Sequence, residues 1–262
     1  MPASKTQSVP ALERALTILE MLAKSKRGLA ISEIVHTLKL PKSTTHTLLL
    51  TLERRGYLHR NDHTHRYLFG LKFFGLANML LAGIELRDQA APMLRALMGA
   101  SGLTVHMAIL EQYDVVLVDK VEAPGLIKLA TWIGKRMDVH CTGVGKALIA
   151  YLPEAELDLL IQEHRLPRHN EGTIASVKKL KVQLAEIRKL GYSFDDEEDE
   201  VGLRCIGCPV LDSTGKVIAA ISISGTVSQI TPENFFTLAH KVKKSASTIS
   251  QHLGFYKRDT RS

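Results

Sequence analysis

The sequence predicts an α+β protein in two parts: a small basic head of three helices and a hairpin, then a larger body with an antiparallel sheet. Three observations carry this. Apolar residues recur at helical spacing over residues 11–55. The second part alternates short β-rich stretches with helical ones, and most neighbouring strands lack a crossover helix, which favours antiparallel pairing. The charge is divided too: residues 1–73 hold 12 Lys plus Arg against 5 Asp plus Glu, while residues 74–262 hold 22 of each, so the whole net charge of +7 sits in the head.

At 262 residues and 45% hydrophobic, the chain suits one large or two modest domains and is too apolar for wholesale disorder. Three cysteines, Cys141, Cys205 and Cys208, are an odd number and fit reduced thiols rather than a disulfide framework. Met1–Pro10 has no basic stretch leading into an apolar core, so no secretory signal is read and a cytoplasmic setting is expected. The most apolar run, Phe73–Leu86, contains Asn78 and Glu85 and falls short of the roughly 20 apolar residues of a membrane span.

In the head, Leu12, Ala15, Leu16, Leu19 and Leu22 form the stripe of a first helix ending near Lys24. Gly28 closes the next turn. Ser32 is placed to cap a short second helix, with Glu33 in its first turn, and Leu40-Pro41 ends it. Pro41 suits the first turn of a third helix reaching about Arg55. There Thr45, Leu48, Leu49 and Leu52 make the inward stripe, whereas Ser43, Thr47, Thr51 and Arg54 lie opposite, flanked by Lys42, Thr44 and His46. A face of hydroxyls and basic groups, with no carboxylate before Glu53, suits the major groove of DNA, where acids would be repelled by phosphates. A solvated polar face is the alternative. Residues 57–60 and 66–68 read as two strands around a polar turn, so the order is that of a winged helix-turn-helix with Arg60, His63, His65 and Arg66 near the wing. On this reading Lys42, Ser43, Thr44, Thr45, His46 and Thr47 meet the groove, while Arg54, Arg55, Arg60 and Arg66 anchor the backbone. His63 and His65 lack the further ligands of a metal site.

From Gly70 to about Arg87 the chain is apolar on most sides of a predicted helix. Such a helix must be buried on more than one side. It packs either on its own body or on a partner subunit, and dimerisation would present two heads to two half-sites.

The body reads as strands at 104–110, 115–121, 127–133, 192–194, 204–211 and 217–224, with helices at 143–151, 154–162, 177–189 and 232–253. It lacks a phosphate-binding loop, a zinc-protease motif and a nucleophile elbow, so no assembled catalytic set is found and no cofactor is implied. Gly143-Val144-Gly145-Lys146 could open a helix and present N–H groups to a carboxylate. Cys205 and Cys208, three apart on a strand, point to opposite faces unless Gly207 bends the chain. Of the six consecutive acids from Asp195 to Glu200, one could turn inward.

Several stretches together resemble the IclR family of bacterial transcriptional regulators: LERALTILEML, LKLPKSTTHTLLLTLERRGYL and RYLFGLKFFGLA in the first part, then VHCTGVGKALIAYLP, GYSFDDEEDEVGLRCIGCPVLD and AAISISG. The resemblance covers about Val9 to Gly254. It implies a winged helix-turn-helix DNA-binding domain at 9–70, a linker and dimerisation helix at 71–90, and a GAF/PAS-like effector-binding domain at 91–257, assembled as a homodimer or homotetramer. It also implies double-stranded DNA and a small organic acid, aliphatic or aromatic, as partners, with Gly143, Val144, Asp195, Cys205, Ser222 and Ser224 lining the effector pocket. Leu126, Leu129 and Met137 would form its apolar wall. Ser222 and Ser224 are two apart on one strand and so face one cavity, which supports a polar ligand independently. Two positions depart from the family pattern. Val144 narrows the pocket, and Cys141 beside His140 could join Cys205 in a metal site. A metal or redox sensor using Cys141, Cys205 and Cys208 is therefore the alternative reading.

Overall fold

The computed structural model describes residues 9–76, 85–125 and 128–255, and the chain divides into two compact units, Met1–Gly83 and Ile84–Ser262.

The first unit begins with α1 (Pro10–Ala23), its proline at the first helical position, where the missing N–H costs nothing. Helix α2 (Ile31–Leu38) starts one residue before the expected cap, Ser32. The cap is made instead from within the first turn, where the Glu33 carboxylate accepts the Ala30 N–H at 2.7 Å. Helix α3 (Lys42–Arg54) follows Pro41, and strands β1 (Leu58–Arg60) and β2 (Tyr67–Phe69) pair antiparallel as the wing. Ile18, Leu22, Ile34, Leu49, Leu58 and Tyr67 form the core. Leu29 and Tyr67 exchange backbone hydrogen bonds of 3.0 and 2.8 Å. This close approach needs Gly28, which has a φ of +70° and whose added Cβ would stand 2.4 Å from the Tyr67 carbonyl oxygen.

The second unit opens with α4 (Glu85–Ser101), whose first six residues fall in the expected linker helix and whose continuation past residue 90 the sequence reading missed. Pro92 lies inside it, yet Ala90, Leu94 and Leu97 make a buried stripe. The expected linker helix, 71–90, includes residues 77–84, which lie outside the described residues; residues 72–76 are helical and residues 85–90 belong to α4. Then come β3 (Thr104–Glu111), β4 (Asp114–Val121), β5 (Arg136–Met137), α5 (Gly143–Ile149), α6 (Glu154–His164), α7 (Val177–Leu190), β6 (Ser193–Asp196), β7 (Leu203–Leu211), β8 (Val217–Thr226) and α8 (Pro232–His252). The strands form one antiparallel sheet in the order β5-β4-β3-β8-β7-β6, giving the α+β class and antiparallel pairing that the sequence predicts. Residues 128–133, expected in a strand, are irregular. Their carbonyls are taken by a side chain instead of a neighbouring strand: the Lys120 ammonium donates to Leu129 O at 3.2 Å and Thr131 O at 2.8 Å.

The sheet's two faces differ in chemistry because side chains alternate along each strand. Val105, Met107, Ile206, Cys208, Ile221 and Ile223 pack with apolar residues of α4 and α8. The opposite face carries Ala108 and Ala220 against α5, α6 and α7, and in the neighbouring registers it turns polar.

Candidate functional site

In the head, Lys42, Ser43, His46, Thr47, Thr51, Arg54 and Arg55 are exposed along α3, and Thr44 is half-buried. Thr45 must be taken out of the groove-reading set. It is fully buried, and its hydroxyl donates to Pro41 O at 3.2 Å, because it lies on the same stripe as Leu49. Arg66 is likewise committed elsewhere: its Nε donates to Gly28 O at 3.1 Å and its Nη2 to Glu33 at 2.7 Å, tying the wing to the start of α2. Arg60, His63 and His65 remain exposed around the wing. The turn between the strands is held by the Asn61 side-chain oxygen, which accepts the N–H groups of His63 and Thr64 at 3.1 and 2.9 Å.

In the second unit, strand register assembles a polar floor. Asp195, Cys205, Ser224 and Thr104 stand side by side on β6, β7, β8 and β3; in the next row on the same face stand Ser193, Gly207, Ser222 and His106. Gly207 leaves the gap through which α5 approaches, since a Cβ there would lie 2.4 Å from Gly143 O. Above this floor is a cavity whose empty space, about 520 Å³, includes its opening to solvent. Leu129, Met137, Gly143, Val144, Asp195, Cys205, Ser222 and Ser224 all line it. Leu126, expected with them, lies outside the described residues.

The structure adds lining residues that the sequence reading missed: His106, Thr131, Lys135 and Thr142, together with Asp199, Glu200 and Leu203. The alternation Thr104, Val105, His106, Met107 held a signal for His106. The acids were indistinguishable within their run. His106 is fixed at both ring nitrogens, Nδ1 lying 3.2 Å from the Ser224 hydroxyl and Nε2 2.8 Å from that of Thr131. Burial, helped by the nearby Lys120 and Lys135 ammonium groups, pushes its pKa down to about 4, so it is a neutral hydrogen-bonding group near pH 7.

Asp195 is the acid that turns inward. Burial pushes its pKa up to about 7, partly offset by the Glu198 N–H it accepts at 2.9 Å. Burial, reinforced by Asp195, also holds the Cys205 thiol well above its usual range. A second acid of the run is buried as well: Glu198 lies 2.5 Å from the ammonium of Lys146, the buried lysine of α5. The N–H groups at the start of α5 are partly spoken for, since the Thr142 hydroxyl accepts that of Gly145 at 3.1 Å.

The metal set considered as an alternative, His140, Cys141 and Cys205, is not assembled. His140 Nε2 is bonded to Pro167 O at 2.9 Å, Cys141 points toward Asp199, and Cys205 faces the cavity. Cys208 lies in the apolar core on the other side of the sheet. The three cysteines therefore form no common site.

Residues 11–62 match the IclR helix-turn-helix domain, and residues 79–251 match the bacterial transcriptional regulator IclR C-terminal domain. The chain belongs to the IclR family. It is 35% identical over 254 residues to the transcriptional repressor IclR of Escherichia coli (strain K12), covering 96% of this chain and 93% of that protein. To the HTH-type transcriptional repressor AllR of Klebsiella pneumoniae it is 36% identical over 251 residues, covering 96% and 92%. The crystal structure of Thermotoga maritima IclR superposes with a TM-score of 0.81 at 31% identity, covering 94% of this chain and 99% of that one. As an IclR-family transcriptional regulator, the protein pairs a DNA-binding helix-turn-helix domain with an effector-binding C-terminal domain. Among the described residues no helix is long and apolar enough to cross a membrane.

Proposed function

We propose that this IclR-family protein is a cytoplasmic, non-enzymatic repressor that releases or tightens on its operator when a small organic acid occupies the cavity. The observation that carries the reading is the polar floor, where Ser222, Ser224, neutral His106 and Asp195 line one concave site. Below its pKa of about 7 the Asp195 carboxyl is a donor, and with the serine hydroxyls it suits one end of an organic acid. Leu129, Met137, Val144 and Leu203 offer the apolar wall for the rest, an alkyl chain or aromatic ring.

On the DNA side, Lys42, Ser43, Thr44, His46 and Thr47 read base edges, and Arg54, Arg55 and Arg60 hold phosphates. The protein works as a homodimer or homotetramer, so that two heads reach half-sites about one helical turn apart, roughly 34 Å. Leu71 and Phe74, 88% and 68% exposed, supply apolar surface for that association. Effector binding acts by favouring one placement of the paired heads over another.

The test is genome-wide capture of DNA bound to the protein, with binding to the captured fragments measured at two salt concentrations. A narrow set of sites sharing a near-palindromic core is the expected result, and the neighbouring genes then nominate the acid. Uniform, salt-labile binding to every fragment would reduce the head to an electrostatic patch and overturn the proposal.

A further inference from the structure

Three metal-binding side chains converge at a place the cavity does not use. The Asp138 carboxylate, the Cys141 thiol and the His169 imidazole each offer one ligand atom, and these atoms all lie within 4.8 Å of one another. None of the three lines the cavity. They come from two segments: Asp138 and Cys141 from the short turn between β5 and α5, and His169 from the connection between α6 and α7. His169 Nε2 already lies 2.8 Å from Asp138 Oδ2.

The arrangement is held from behind. His169 N–H and Asn170 N–H both donate to the Thr173 hydroxyl, at 3.1 and 3.0 Å, and that hydroxyl donates to Glu198 O at 2.7 Å. The Asn170 amide donates to Glu197 O at 3.0 Å and Glu198 O at 3.2 Å. The His140 ring, held by Pro167 O, stacks on the His169 ring with centroids 6.2 Å apart. An Asp138–His169 pair alone would explain two of the three groups. It would not explain a buried thiol brought to the same point.

We infer that Asp138, Cys141 and His169 bind a divalent cation of the zinc class. Thiolate, imidazole and carboxylate together are a zinc-type donor set, with ligand bonds of about 2.0–2.3 Å and so ligand atoms about 3.5 Å apart. Reaching that spacing asks the thiol to close by about an ångström and the His–Asp pair to open slightly. Burial, reinforced by Asp199, Asp138, Asp195 and Glu198, pushes the Cys141 thiol up, so the cation has to displace its proton. The Asp199 carboxylate accepts from the Cys141 thiol at 3.8 Å but stands outside this group of three, so solvent completes the coordination. His169 is exposed and Asp138 half-buried, which leaves a route in from solvent. Asp199 also lines the effector cavity, so its contact with Cys141 is the link between the site and the acid loop 195–200. This inference does not depend on what the effector is.

The experiment uses the full-length protein, stripped with a chelator and then titrated with zinc by calorimetry and with cobalt by absorption. One equivalent should bind, with a thiolate-to-cobalt charge-transfer band. Cys141→Ser should remove the band and weaken zinc by more than about 100-fold, the upper end of the cost of losing a mere outer-shell partner. His169→Gln should weaken zinc comparably, and Cys205→Ser should leave the band in place. Circular dichroism of each variant establishes that it is folded. No saturable binding by the parent protein overturns the site, as does binding that survives both Cys141→Ser and His169→Gln. Loss of the band with Cys205→Ser alone also overturns it, because the metal would then sit in the effector cavity.

Discussion

The Lys146 ammonium and the Glu198 carboxylate meet at 2.5 Å with 0% and 6% of their side-chain surfaces exposed. Neither charge has water to fall back on. Burial pushes the Glu198 carboxyl up even with the ammonium against it, so the pair couples α5 to the acid loop at a high desolvation cost. Glu198→Leu, which strands the ammonium with only Gln183 and the Phe194 carbonyl as acceptors, should cost about 3–5 kcal/mol of stability. Lys146→Met combined with Glu198→Leu should recover most of it. Urea unfolding followed by circular dichroism makes the comparison, and equal losses in the single and double variants would contradict the pairing.

In the head, Arg54→Ala should weaken all DNA sequences alike and lower the slope of log affinity against log salt by about 1. A changed sequence preference would show that Arg54 reads bases. Thr45→Val, at a buried position, should leave operator preference untouched, whereas His46→Ala should relax it at one base position. Binding to a panel of operator variants at two salt concentrations separates the three.

For the cavity, the double change Ser222→Ala and Ser224→Ala should abolish the response to effector while operator binding without effector persists. The two hydroxyls stand on β8 on the cavity face, and the variant removes acceptors and donors without filling space. A normal effector response in gel-shift titrations would take both serines out of the site.

Asp195 sets a pH dependence with a definite sign. Its pKa is raised from 3.8 to about 7 by burial, so the carboxyl is neutral below that value and charged above it. Affinity for an acid effector should therefore fall as pH rises from about 6 to about 8, as like charges come to face each other. Asp195→Asn should flatten the profile. Stability follows the same sign: this group's contribution is full below the unfolded value of 3.8 and lost as pH rises through about 7. The melting difference between parent and Asp195→Asn should shift in the variant's favour across that window, and a constant difference would mean that Asp195 is ionised throughout.

Much of the fold is legible in the sequence because its signals are local. The stripe on α3, the hairpin around Asn61 and the alternation in Ala219–Ser224 each declare themselves within a few residues. The continuation of α4 past residue 90 escaped because Pro92 interrupts its signal, although the buried stripe of Ala90, Leu94 and Leu97 continues past it. Residues 128–133 carry β-branched side chains but spend their carbonyls on Lys120, a contact set by tertiary structure alone. The floor beside Ser222 depends on register. That His106 stands opposite Ser222, and Cys205 opposite Ser224, follows from pairing strands far apart in sequence. The same limit applies to Cys141: Asp138 lies three residues before it, but His169 is brought in from a distant segment.

The alternation that sends Cys205 to the cavity and Cys208 to the core makes the central strands a partition between two tasks. Exchanging a side chain on one face alters what the protein can recognise, while the apolar layer beneath α4 and α8 keeps its packing. Ligand preference in such a domain is free to drift by single substitutions at every second position of β3, β7 and β8 without asking the fold to change.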